Sequence, residues 1–164
     1  MTTGLFIGRF QPFHKGHLAI IKQAMMAVDQ LFIVIGTAQE SRTKENPLTA
    51  EERQDLIDKA LKAEKISHYQ LYALKDIHDD QKYVQYVEKH LPPFDVVFTG
   101  DNKLNRKLFL TAGYKVVTSP RLGGWMATEV RKRIRGKEGY AVFVPAKVKE
   151  TLETEKLIKI IKET

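Results

Sequence analysis

The chain has 164 residues, enough for one domain with a real core and too short for two ordinary ones. Its 43% hydrophobic and 29% charged residues lie in the globular range, and the absence of Cys excludes disulfides, thiolate metal sites and a cysteine nucleophile. The net charge of +7 would attract nucleic acid, an anionic membrane or a polyphosphate ligand alike, although part of it belongs to the run from Lys147 to Lys162, where Lys and Glu alternate as on a solvated helix face.

The Met1-Thr2-Thr3 start leads directly into a strand-like run, without the charged region and apolar stretch of an export signal, so a cytoplasmic location is expected. No apolar run approaches the roughly 18 to 20 residues of a membrane span, and no membrane partner is expected. Leu5-Phe6-Ile7 reads as a first strand. A glycine-containing segment, Gly8 to His17, follows it and opens a helix whose Leu18, Ile21, Met25 and Val28 share one face. Leu31 to Ile35 is a second strand, and Thr49-Ala50-Glu51-Glu52 is a capping box that starts a helix with Leu56, Ile57, Ala60 and Leu61 inward. Tyr69 to Leu74 is a third strand, followed by a helix carrying Tyr83, Val87 and His90-Leu91 and ended by Pro92-Pro93. Val96-Val97-Phe98 and Tyr114 to Val117 complete five strands, Gly123-Gly124 marks a flexible loop, and the apolar positions after Pro145 predict one C-terminal helix over residues 145–164. Alternating strands and helices argue for an α/β fold with a doubly wound parallel sheet, in a single domain over 1–164.

The junction after the first strand carries the chemistry. In Gly8-Arg9-Phe10-Gln11-Pro12-Phe13-His14-Lys15-Gly16-His17, a strand end meets a helix start, where free N–H groups and the positive end of the helix dipole favour phosphate. Gly8 and Gly16 permit close backbone approach, His14 and His17 can point to one side of a first helical turn, and Arg9 and Lys15 add charge. A chain of this composition contains His-x-Gly-His by chance about 1% of the time, so the motif stands above background. Such a cluster can stabilise a pentavalent phosphorus centre. A metal site at His14 and His17 would need further His or carboxylate ligands where the local sequence is basic, so no protein metal ligands are assigned. A Walker phosphate loop is absent.

With that motif, the segments Gly36 to Thr43 and Asn46 to Arg53, the Lys75-Asp76-Ile77 step, Pro92 to Asp95 and Thr128-Glu129-Val130-Arg131 resemble, in the same order, the archaeal-type nicotinamide mononucleotide adenylyltransferases of the HxGH nucleotidyltransferase superfamily. The resemblance implies a Rossmann-like fold, a homo-oligomer, Mg²⁺ bound with ATP, and formation of NAD and pyrophosphate from ATP and nicotinamide mononucleotide. It implies that His14, His17 and Arg9 stabilise charge on the transferring α-phosphate and that Ser41 and Thr43 contact phosphate. It also implies that Arg131, on a helix capped by Thr128, grips pyrophosphate. Gly8, Phe10, Gly16, Thr99 and Gly100 complete the expected nucleotide cradle, and Asp76, Asp80 and Tyr83 the acceptor pocket. Since ligands bind at the carboxyl ends of parallel strands, residues 9–17, 37–43, 76–83, 99–102 and 119–131 should converge on one crevice.

Two departures from the family pattern stand out: Met126 and Ala127 replace small hydroxyl or glycine residues before Thr128, and Asp80 and Tyr83 stand where Asn and Trp are common. The competing readings are an adenylyl- or cytidylyltransferase for another phosphorylated acceptor, such as phosphopantetheine, flavin mononucleotide or glycerol phosphate, and a basic nucleic-acid-binding module. The last lacks any aromatic-and-basic stacking motif or Cys/His finger, so no nucleic-acid partner is expected.

Overall fold

The computed structural model describes residues 1–120 and 124–164. Five strands, β1 (Thr3–Gly8), β2 (Gln30–Ile35), β3 (Tyr69–Ala73), β4 (Val96–Thr99) and β5 (Lys115–Thr118), form a parallel sheet in the order β3-β2-β1-β4-β5. They coincide with the five apolar runs. The helices are α1 (Lys15–Met25), α2 (Ala50–Ala63), α3 (Asp80–His90), α4 (Lys103–Thr111), α5 (Ala127–Arg135), α6 (Ala146–Thr154) and α7 (Leu157–Glu163).

Successive strand residues point to opposite faces, and this sheet buries both, which is why its central strands are continuously apolar. Phe6, Leu31, Ile33, Ile35, Val96 and Phe98 pack in one core with residues of α1, α2 and α5 to α7. Leu5, Phe32, Val34 and Val97 pack on the other side with Val87 of α3 and Phe109 of α4. The connection through α1 carries the chain from β1 to β2 on one side, whereas α3 returns it from β3 to β4 on the other. The winding therefore reverses between β1 and β4, where the carboxyl ends of parallel strands part into a crevice.

Local caps follow the sequence. Thr49 and Glu52 exchange the two bonds of a capping box, Glu52 N to Thr49 Oγ1 at 3.1 Å and Thr49 N to Glu52 Oε2 at 2.8 Å, and all four named apolar residues of α2 are buried. Asp79 caps α3 by accepting from the N–H groups of Gln81 and Lys82. Helix α4 has no counterpart in the sequence reading: of its nine residues only Phe109 is buried, too little for a periodic stripe, and it is defined by the Asn102 cap.

Two expectations are corrected. The C-terminal segment forms two helices, α6 and α7, separated at Lys156, whose φ of 59° is left-handed. Val148 and Leu152 are four positions apart, as are Leu157 and Ile161, but Leu157 is five positions after Leu152, so one straight helix cannot bury both pairs on the same face. Breaking the helix lets α6 pack on α2 while α7 packs on α5. The helix bearing Arg131 is also not capped by Thr128: its N-cap residue is Met126, Thr128 is its second residue, and Arg131 lies a full turn inside. Of the expected Gly123-Gly124 loop, Gly123 lies outside the described residues, and Gly124 is left-handed at φ 66°.

Candidate active site

At the N-terminus of α1 the two histidines form a reciprocal cap. His14 Nδ1 accepts from the N–H groups of Gly16 (3.0 Å) and His17 (3.4 Å), and His17 Nδ1 accepts from the His14 N–H (3.1 Å). The rings stack with centroids 3.6 Å apart and planes 25° from parallel. Because each Nδ1 accepts a backbone N–H, a neutral ring in this arrangement carries its proton on Nε2. Phe10 and Phe13 pack against the His17 ring at 4.6 and 5.6 Å between centroids. Burial, and secondarily the neighbouring His14, holds His17 well below the ordinary histidine range, so it is a neutral donor at physiological pH. The sequence spacing required Gly16 for a physical reason: a Cβ there would lie 2.8 Å from His14 Cε1 and 2.9 Å from its Nδ1.

A cavity of about 530 Å³ opens at this point, and Gly8, Arg9, His14, His17, Gly100 and Arg131 are part of its lining. Phe10, Gly16 and Thr128 also border it. Phe10 belongs to the core and is 1% exposed as a whole residue, so it packs beneath the cavity and presents no surface of its own to a phosphate. Arg131 is buried, donates through Nη1 to the Gln11 carbonyl at 2.9 Å, and has a buried Nε–H with no acceptor among the described residues. Burial, then the charges of Arg135 and Arg9, lowers its pKa against the pull of Glu45. An anion would relieve this crowding of positive charge.

A second cavity of about 440 Å³ lies beside the first, and Ile7, Gly8, Arg9 and Asn102 line both. Asp76, Asp80 and Tyr83 are brought together on its wall, joined by Lys75 and Glu40. The Tyr83 ring packs edge-on against Phe109 with centroids 6.5 Å apart while still facing the cavity, so packing and lining are both its roles. Burial, then Asp76 and Tyr86, pushes its hydroxyl up to about 12. Asp76 and Gln39 are tied by reciprocal 3.0 Å bonds between side-chain amide and backbone, which hold the loop after β3 against the loop after β2.

Three expected phosphate residues border neither cavity. The Thr43 hydroxyl accepts from the Asn46 N–H at 3.0 Å inside a local turn, Ser41 lies in the same segment, and Thr99 is buried at the end of β4 with its hydroxyl 3.4 Å from that of Thr118. Of residues 119–131, positions 121–123 lie outside the described residues. Sequence reasoning passed over Gln11, Arg53 and Trp125. Gln11 is buried and its amide both donates to and accepts from the Leu48 backbone at 2.9 Å, pinning the segment before α2 to the histidine loop. Its only signal was its place inside the motif. Trp125 lines the first cavity and was signalled only as the sole Trp, beside two glycines.

Among the described residues no helix is long and apolar enough to cross a membrane. The cytidylyltransferase-like family model matches residues 5–161. Nicotinamide-nucleotide adenylyltransferase of Pyrococcus furiosus is 42% identical over 158 residues, covering 93% of this chain and 84% of that protein. The Methanococcus aeolicus protein of the same name is 44% identical over 144 residues, covering 86% and 82%. Among solved structures, a bifunctional NMN adenylyltransferase/ADP-ribose pyrophosphatase from Francisella tularensis, complexed with AMP and a manganese ion, superposes with a TM-score of 0.76 at 21% identity. The alignment covers 98% of this chain and about half, 52%, of that one, and at this identity the likeness speaks to the fold alone.

Proposed function

Because the chain belongs to the cytidylyltransferase-like family and, within it, to the nicotinamide-nucleotide adenylyltransferases, we propose that it transfers the adenylyl group of ATP to nicotinamide mononucleotide, giving NAD and pyrophosphate. The observation that carries this reading is the pair of cavities meeting at the end of β1 with Arg9 and Gly8 shared between them. One holds a nucleoside triphosphate beside the histidine pair, and the other holds a mononucleotide whose phosphate reaches the same point.

In the reaction an oxygen of the acceptor's phosphate bonds to the α-phosphorus of ATP and the bond from that phosphorus to the β-bridging oxygen breaks, releasing pyrophosphate. A phosphate monoester is largely dianionic at neutral pH, so the nucleophile needs no base. That suits the histidine pair, with His17 held neutral by burial, whose Nε2–H groups stabilise charge on the non-bridging oxygens as the centre becomes pentavalent. Arg9 neutralises the meeting phosphates, and Arg131 takes the departing pyrophosphate with its guanidinium. The rest is positioning.

A divalent ion supplies charge neutralisation on the triphosphate when bound. The described lining of the first cavity includes one carboxylate, Asp101, and no group of three or more His, Asp or Glu suited to a metal occurs among the described residues. The residues therefore fit an ion, Mg²⁺ in this proposal, that arrives mainly on the phosphate oxygens of ATP. Self-association belongs to the same reading and is checked by light scattering. The deciding experiment incubates the protein with ATP, Mg²⁺ and a panel of nicotinamide and nicotinic acid mononucleotides, phosphopantetheine, flavin mononucleotide and glycerol phosphate, identifying products by mass spectrometry. NAD with equimolar pyrophosphate is expected. A product formed only with a non-pyridine acceptor refutes the assignment.

A further inference from the structure

Arg53 occupies the first turns of α2 and is the largest fully buried side chain, at 0% exposure. Its guanidinium makes five bonds, all to backbone carbonyls. Nε donates to Thr49 (3.2 Å), Nη1 to Arg9 and Gly36 (2.9 Å each), and Nη2 to Thr37 (3.2 Å) and Glu40 (3.5 Å). Among the described residues no carboxylate lies within ion-pair distance of it. Burying a guanidinium without a carboxylate in direct contact is unfavourable; the charges of Glu51, Glu40 and Glu52 offset part of that cost, and a ring of carbonyls satisfies its N–H groups. A hydrophobic side chain could fill the same space, so the reason for an arginine lies in where those carbonyls belong.

They belong to the two loops that wall the cavities. Arg9 is the first residue after β1, and Gly36 and Thr37 are the first two after β2. The parallel ladder runs through the bond from Gly36 N to Gly8 O, and its next rung would join Phe10 N to the Gly36 carbonyl. Arg53 takes that carbonyl instead. Phe10 and Thr37 both turn into the left-handed region, at φ 53° and 50°, a conformation that strains non-glycine residues and persists only where the surroundings impose it. With the Arg9 and Gly36 carbonyls drawn toward Arg53, the N–H groups of Phe10 and Thr37, on the opposite edges of the same trans peptides, point away from it. Neither donates to a backbone carbonyl among the described residues.

We propose that Arg53 is a positioning residue for the transfer reaction: it ends the β1–β2 ladder, holds Phe10 and Thr37 in their left-handed bends, and so fixes Arg9 between the two cavities. It touches neither substrate. The inference rests on the adenylyl-transfer reading of the site, and the wild-type reaction is the control that separates the two.

The test compares wild type with Arg53→Lys and Arg53→Met, each shown to be folded by circular dichroism and assayed well below its own Tm. Lys keeps the charge but has one nitrogen and cannot span both loops, and Met keeps the bulk alone. A folded variant is expected to lose about 10²-fold in kcat, the scale of an ångström-sized misplacement of reacting groups. The acceptor's KM should rise more than that of ATP, because Gly36, Thr37 and Glu40 line only the second cavity. Adding Thr37→Gly to Arg53→Lys should recover part of kcat, since glycine adopts the left-handed bend unaided. A purely structural role would lower Tm and leave kcat and both KM values of the folded enzyme within about threefold of wild type, and that result overturns the proposal. If wild type makes no dinucleotide, the adenylyl-transfer reading itself fails.

Discussion

Gly16→Ala separates the histidine geometry from the stability of the fold. The new Cβ would sit 2.8 and 2.9 Å from two atoms of the His14 ring and 3.3 Å from the Trp125 carbonyl, too close for the ring to stay. Displacing it breaks the His14 Nδ1 bonds to Gly16 and His17 and the 3.6 Å stack. Losing such a cap costs about 1 kcal/mol, and replacing a helical glycine by alanine returns about as much. The two nearly cancel. Tm should therefore move by no more than about 4 °C. Catalysis has no such compensation: a displaced His14 removes one aimed donor from the α-phosphate, a loss of about 10²-fold in kcat. Initial rates of dinucleotide formation at saturating substrates, beside a thermal melt, read both quantities. A folded variant whose kcat stays within about threefold of wild type would refute the requirement for His14 in this place.

His17→Ala is expected to lower kcat by about 10²- to 10³-fold while ATP still binds in equilibrium dialysis, because the donor's contact strengthens only as charge gathers on the phosphate. As pH falls below about 6.5, the unfolded chain protonates His17 before the native protein does, so native stability is full above that value and declines toward the lower native pKa. Urea midpoints across that range should fall less steeply in His17→Gln, and an unchanged slope would show that His17 is not held neutral. Arg131→Lys should weaken both ATP binding and pyrophosphate inhibition by about tenfold, the worth of a charged hydrogen bond; unaltered constants in Arg131→Ala would remove it from the phosphate site. Asp76 and Asp80 should favour nicotinamide over nicotinic acid mononucleotide, and Asp80→Asn should narrow the ratio of their kcat/KM values. Equal wild-type values would show that these carboxylates do not read the ring. Tyr83→Ala should raise the acceptor's KM by about 2- to 30-fold, the range of a cation–π contact, with little change for ATP.

The strands and the histidine site were legible because their determinants are local. Five short apolar runs, continuous in β1, β2 and β4 and broken by Gln70 and Lys115 in the edge strands, read as strands of a sheet covered on both faces, and Thr49 with Glu52, or His14 with His17, satisfies helix N–H groups a few residues away. The family resemblance added Asp76, Asp80 and Tyr83 as the expected acceptor residues, and the structure brings these three to one cavity. What escaped the sequence depends on partners distant along the chain. Arg53 reaches carbonyls 44, 17, 16 and 13 residues away, Gln11 pins a backbone 37 residues on, and Arg131 answers to Gln11 across 120 residues. Composition and periodicity hold no trace of such bonds. The same reasoning covers the C-terminal break at Lys156: the apolar positions were all visible, but the surfaces of α2 and α5 decide that two short helices bury them and one long helix cannot.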